Sequence, residues 1–210
     1  MKRSPLIPIF LIVAVDVLGF TIILPLLPFY AQQYGATPFV VGVLATTFAV
    51  CQLISGPFLG RVSDRYGRKP ILMLSQAGTF VGFVLLGVAN SLPMIFLSRI
   101  IDGVTAGNLT IAQAAIADVT PPENRARAFG VIGIAFGLGF LLGPAISAAL
   151  AHFDIHYPAY AAAGLSMLSI FATWFLLPDA QQKVDSTVNA KSAKRLHAYF
   201  KDLNLRWLLV

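Results

Sequence analysis

Three ionisable side chains stand where they are expensive to place. Asp16 lies about ten residues inside an apolar run that is long enough for a helix, and Arg99 and Asp102 lie inside another. An ionised carboxylate at the centre of a membrane helix costs about 2.5–3.5 kcal/mol on insertion scales, so such a residue needs a reason. A carboxyl that is neutral when dry and ionised when hydrated can carry a proton between two environments, which makes Asp16 a candidate for proton coupling. The alternative is a protonated Asp that hydrogen-bonds another helix. Arg99 and Asp102 are three residues apart, share a helix face and partly neutralise each other. They are read either as further proton-coupling groups or as an ion pair that holds a bundle together. At about 100° per residue, Gly103, Ala106, Thr110, Gln113 and Ala117 fall near Arg99, while Asn108 points away. Such a small, polar stripe should face a wet cavity, with Gln113 near whatever ligand enters it.

The elements that position these groups follow from composition. The chain has 210 residues, of which 57% are hydrophobic and 11% charged, with a mean hydropathy of +0.78. Ordinary soluble domains are about 45–50% apolar and about 25% charged, so bilayer lipid is the natural solvent. Disorder and a collagen-like repeat are excluded by the same figures, and a disulfide scaffold by the presence of a single cysteine, Cys51. Apolar stretches at about 6–30, 39–59, 71–89, 94–117, 128–151 and 160–177 predict six transmembrane helices and an all-α membrane protein. They are too long and continuous for the alternating segments of a barrel. The first is too long for a cleavable signal peptide and contains Asp16, Pro25 and Pro28.

Charge placement gives the topology. The connections Gln32–Pro38, Asn90–Pro93 and His152–Pro158 carry no Lys or Arg. Every Lys and Arg except Arg99 falls on the other side: Lys2, Arg3, Arg61, Arg65, Arg68, Lys69, Arg125, Arg127 and those from Lys183 to Arg206. The positive-inside rule then places both termini in the cytoplasm and requires an even number of spans. The net charge of +6 is therefore a topology signal, not the mark of a nucleic-acid binder. The bundle is expected over residues 1–178, a cytoplasmic linker over 179–202, and over 203–210 either the start of a seventh helix or an interfacial helix. Because Arg206-Trp207-Leu208-Leu209-Val210 stops within an apolar run, truncation inside a seventh helix is preferred to a natural half-length protein.

Between the second and third stretches runs Gly60-Arg61-Val62-Ser63-Asp64-Arg65-Tyr66-Gly67-Arg68-Lys69-Pro70. It reads as a tight cytoplasmic turn in which Gly67 permits a positive φ, Pro70 suits a first helical turn and Asp64 offsets neighbouring helix ends. This run resembles the signature loop of the major facilitator superfamily. Other segments are similar. Asp16-Val17-Leu18-Gly19-Phe20, followed by Pro25-Leu26-Leu27-Pro28, resembles the opening of drug/proton antiporters, in particular tetracycline efflux proteins. Arg99-Ile100-Ile101-Asp102-Gly103 resembles the family's Arg-x-x-Gln-Gly pattern with Asp in place of Gln. Gly133, Gly137, Gly139 and Gly143-Pro144 resemble an antiporter motif whose closing Gly-Gly is here Ser147-Ala148. The resemblance covers most of residues 5–178 and amounts to the amino-terminal six-helix half of a two-half fold.

The resemblance implies that Arg68 pairs with Asp118, so that Gly60, Asp64, Arg65, Gly67, Arg68, Lys69 and Asp118 form a conformational latch. It also implies that Gln52 contacts substrate, the alternative being a helix–helix hydrogen bond, and Tyr30 joins Gln52 and Gln113 as a substrate candidate. Gly82 stands where tetracycline efflux proteins resemble one another in having Asp, which argues against tetracycline itself as substrate. Gly139, Gly143 and Pro144 are expected to make the fifth span a gate, through close packing and a proline kink. His152 and His156 flank Asp154, but two histidines in a loop without a third suitably spaced ligand predict no metal site. No cofactor is expected, and the three intramembrane ionisable residues do not make an enzyme's constellation.

The expected function is a proton-coupled secondary transporter, a multidrug or tetracycline-like efflux antiporter working by alternating access in the bacterial cytoplasmic membrane. Its partners would be protons, a small amphiphilic substrate, the lipid bilayer, and either a carboxy-terminal half or a second copy. The alternatives are a non-transporting assembly or regulatory partner and an uptake symporter of the same superfamily.

Overall fold

A computed structural model describes residues 6–177. The linker expected over 179–202 and the helix expected over 203–210 lie outside them. Among the described residues seven α-helices follow one another: α1 Leu6–Gln33, α2 Pro38–Tyr66, α3 Arg68–Gly87, α4 Leu92–Thr105, α5 Asn108–Val119, α6 Arg125–Ala151 and α7 Tyr157–Leu176. A short 3-10 turn, Pro122–Asn124, precedes α6. Among the described residues six spans are long and apolar enough to cross a membrane, with α4 and α5 sharing the span Leu92–Val119.

Two departures from the sequence reading matter for the site. The basic motif is not a loop, because α2 runs on to Tyr66 and α3 begins at Arg68, which leaves Gly67 as the one residue between them. Gly67 makes the reversal at φ 99°, a region glycine enters without a Cβ clash, and its N–H caps α2 on Ser63 O at 3.0 Å. The fourth span, read as one helix over 94–117, is broken. Ala106 (φ −73°, ψ 61°) leaves the helical region, and α5 restarts after Gly107. No proline causes the break. The Ser75 hydroxyl of α3 donates to Thr105 O and accepts from Gly107 N–H at 2.9 Å, so a side chain takes up backbone groups the helix has released. Broken helices persist at membrane depth where protein satisfies them in this way.

Packing follows the small residues. α1 lies mainly against α6 and α7, α3 against α4 and α7, and α2 against α4. Gly139 and Gly143 bring α6 onto Val17 and Thr21 of α1; a Cβ at Gly139 would come within 2.7 Å of Val17 Cγ1. Gly82 brings α3 onto α4, where a Cβ would come within 2.8 Å of the Asp102 Cβ. Around Gly133 and Gly137, by contrast, there is open space among the described residues. Pro144 sits within an unbroken helical assignment.

Two apolar cores result. One gathers Ile12, Val17, Leu72, Ile111, Ile116 and Ile132, and the other Ile23, Tyr30, Leu44, Phe83, Ile95 and Ala162. On four of the helices buried polar residues fall between the two: Thr21 on α1, Gln76 on α3, Arg99 and Asp102 on α4, Ser166 and Ser169 on α7.

Gly143→Val, which drives two methyl groups into the α1 contact, is expected to destabilise the fold by about 1–3 kcal/mol. Gly164→Ala, where the Cβ meets open space, should be neutral or stabilising by about 0.5–1 kcal/mol. Thermal unfolding of the two variants in detergent checks the contrast.

Candidate functional site

A cavity of about 220 Å³ opens at the polar level. α1 contributes Asp16 and Phe20, α2 Phe48 and Gln52, α3 Thr79 and Phe83, α4 Asp102, α5 Asn108, and α6 Phe136. The break in the fourth span forms part of its wall, because Ala106 and Asn108 flank Gly107 and both line it.

The charges are unequally served. Arg99 Nη1 meets Asp102 Oδ2 at 3.2 Å, with both side chains at most 4% exposed. The Arg99 guanidinium lies 5.9 Å from the Phe48 ring centroid and 5.6 Å from that of Phe83, so it sits between two rings that themselves line the cavity. Its Nη2 is buried with no hydrogen-bond partner among the described residues. Asp16 has no cation beside it among the described residues. Gln76 Nε2 lies 3.4 Å from its Oδ2, and the Ser169 hydroxyl, bonded to the same amide at 2.7 Å, stands beside the carboxyl. The cavity is thus lined by one carboxyl whose charge is offset and one whose charge is not.

Of the residues singled out by sequence, the structure brings Asp16, Asp102 and Gln52 to one cavity and sets Arg99 just behind it. Two substrate candidates lie elsewhere. Gln113 is exposed on α5 and is not among the residues lining this cavity, because the break resets the helical phase that had aligned it with Arg99. The same reset turns Asn108, expected to point away, into the wall, where its Oδ1 is buried without a partner. Tyr30 is fully buried in the second core, and its hydroxyl donates to Ala89 O at 2.8 Å. Gln76, Ser169, Thr79 and Asn108 were not singled out as candidates. The available signal was Gln76 itself, a glutamine near the middle of a span.

At the Gly67 end Arg68 gathers the motif. Its Nη2 meets Asp64 Oδ1 at 2.5 Å and its Nε meets Asp118 Oδ2 at 2.9 Å. Its Nη1 donates to Ser63 Oγ at 2.7 Å and more weakly to Gly60 O at 3.4 Å. Arg65 turns over the Tyr66 ring. A Cβ at Gly60 would stand 3.2 Å from Thr110 Cγ2, so this glycine lets α2 approach α5. Arg125 of α6 donates to Ala117 O at 3.1 Å and to Thr120 O at 3.3 Å, capping the end of α5. At the opposite end the His156 backbone N–H, and then its ring, donate to Asp154 and hold that carboxyl below its usual value. What this turn contributes is present above the ordinary carboxylate range and is lost as pH falls through the depressed value.

The family model of the Major Facilitator Superfamily matches residues 9–210. The class H tetracycline resistance protein of Pasteurella multocida is 35% identical over 220 residues, an alignment that takes in 99% of this chain and 54% of that protein. The class B protein of Escherichia coli is 33% identical over 84% of this chain and 45% of its own length. The crystal structure of the human organic anion transporter MFSD10 (TETRAN) superposes with a TM-score of 0.76 at 26% identity, covering 84% of this chain and 48% of that one. The chain spans about half the length of the curated relatives it matches. This multi-pass membrane chain, with its single-glycine reversal at Gly67 and its carboxyl-lined cavity, belongs to the Major Facilitator Superfamily.

Proposed function

We propose that this chain forms one six-helix wall of a proton-coupled exporter of small amphiphilic molecules, working by alternating access in a bacterial cytoplasmic membrane with its Gly67 end in the cytoplasm. The opposing wall would come from a carboxy-terminal half or from a second copy. The observation that carries the reading is the single cavity shared by Asp16, which lacks a cation partner among the described residues, and Asp102, which has one. Asp16 is the group that exchanges a proton, and the Arg99–Asp102 pair provides a fixed dipole beside it. The unpartnered Asn108 Oδ1, the carboxyls and four phenylalanine rings suit a ligand with an apolar body and N–H donors or positive charge. Resistance to tetracyclines, named for the class H and class B relatives, makes a tetracycline one natural probe. The open faces of α2 and α6 and the space around Gly133 and Gly137 suit packing against the second wall, with α6 as the moving element through Gly139, Gly143 and Pro144. Gly60, Asp64, Arg65, Gly67, Arg68, Lys69 and Asp118 would latch the cytoplasmic ends of α2, α3 and α5 in this conformation.

In inverted membrane vesicles carrying the product of the native gene, an imposed pH gradient should drive accumulation of tetracycline or of a lipophilic cationic dye. Asp16→Asn should reduce accumulation to that of vesicles without the protein, and gradient-driven accumulation that survives Asp16→Asn refutes proton coupling through this residue. Gln52→Ala should keep the proton drive and raise the half-saturating probe concentration by about three- to tenfold, the loss of one hydrogen bond. For the latch, where Arg68 holds two carboxylates, ion pairs at the upper part of the range of about 0–1 kcal/mol mean that Arg68→Ala should change the maleimide labelling rate of Cys51 by about two- to fivefold. An unchanged rate would remove the latch from the account.

A further inference from the structure

Gln76 is fully buried on α3, and every polar atom of its side chain is engaged across helices. The Thr173 hydroxyl of α7 donates to Gln76 Oε1 at 2.9 Å, which fixes the amide so that its N–H groups turn toward α1 and α7. Nε2 then donates to Ser169 Oγ at 2.7 Å and lies 3.4 Å from Asp16 Oδ2. Because Ser169 Oγ accepts from the amide, its own proton remains available to the Asp16 carboxyl beside it. The Ser166 hydroxyl donates to the Gln76 backbone carbonyl at 3.1 Å, tying the two helices again at the same residue. The donors that meet Asp16 therefore come from α3 and α7, and their direction is set by a hydroxyl on the far side of the amide.

We propose that Gln76, oriented by Thr173 and Ser169, is the positioning residue that sets the protonation of Asp16 and makes it depend on how α1 sits against α3 and α7. The proposal rests on the proton-coupling role of Asp16. Other groups facing Asp16 do not supply this control. Asp102 is the other titratable residue lining the cavity, and its charge is engaged by Arg99 on its own helix. α2 and α5 present the uncharged Gln52 and Asn108, and α6 presents Phe136. Moving α1 away from α3 and α7 would strip the carboxyl of both donors together, so a shift of one helix would change proton affinity without any new charge entering the site.

The test is a pH titration of the Asp16 carboxyl stretch by difference infrared spectroscopy on the purified native gene product, with the band assigned by its loss in Asp16→Asn. Gln76→Leu should move the midpoint by about one pH unit or more, the worth of a hydrogen bond to a charged group. Thr173→Val, which removes only the hydroxyl that orients the amide, should move it in the same direction by less, and Thr173→Ser should leave it in place. An unmoved midpoint in Gln76→Leu overturns the proposal. If Gln76→Leu does not reach the membrane, an unmoved midpoint in Thr173→Val overturns it equally, and a shift shared by Thr173→Ser would reduce the effect to packing. These outcomes are separate from transport. Proton-driven accumulation that persists in Asp16→Asn removes the role of Asp16 itself, whereas its loss there together with an unmoved midpoint in Gln76→Leu removes only the role of Gln76.

Discussion

A charge in an apolar bundle must be compensated, bonded or neutralised, and the arrangement of the described residues follows from how Asp16, Arg99 and Asp102 each meet that demand. Asp102 has Arg99 one turn away, Arg99 has two aromatic faces as well, and among the described residues Asp16 meets uncharged donors alone. Desolvating an ion costs several kcal/mol before any pairing is counted, so a carboxyl without a cation depends on the hydrogen-bond donors around it. The buried hydroxyls and amide between the two apolar cores are the partners this layer of charge requires.

The same constraint governs the backbone. At Ala106 and Gly107 the fourth span gives up helical hydrogen bonds in a place where lipid could not replace them, and Ser75 meets two of the freed groups. The break turns Asn108 toward the acids and places irregular backbone in the cavity wall, an arrangement tolerated at membrane depth only where protein or a wet cavity receives it. Gly82 permits the neighbouring contact, since no larger residue there would leave room for the Asp102 backbone against α3.

Much of the fold was legible in the sequence, because continuous apolar runs, their length and the segregation of Lys and Arg are each imposed by the bilayer. The place of Asp16 in a cavity wall and the pairing of Arg99 with Asp102 were legible for the same reason: a charge inside such a run stands out. What escaped was whatever a helical wheel cannot express. A wheel assumes unbroken phase, so it carried Gln113 toward Arg99 and Asn108 away, and the break at Gly107 undid both. Nor does a one-dimensional pattern distinguish a hydroxyl that closes its own helix, such as Thr21 bonded to Val17 and Leu18 carbonyls, from Thr173, which reaches across to Gln76. Tyr30 had the right type for ligand contact, but its hydroxyl is spent on Ala89.

The claim on which the account turns is that Asp16 exchanges the proton that pays for substrate movement. The most direct measurement is the dissipation of an imposed pH gradient when tetracycline or a cationic dye is added to vesicles that contain the protein, compared with Asp16→Asn at equal protein content. The account predicts substrate-induced dissipation in the native protein and none in the variant. Equal dissipation in the two would contradict it.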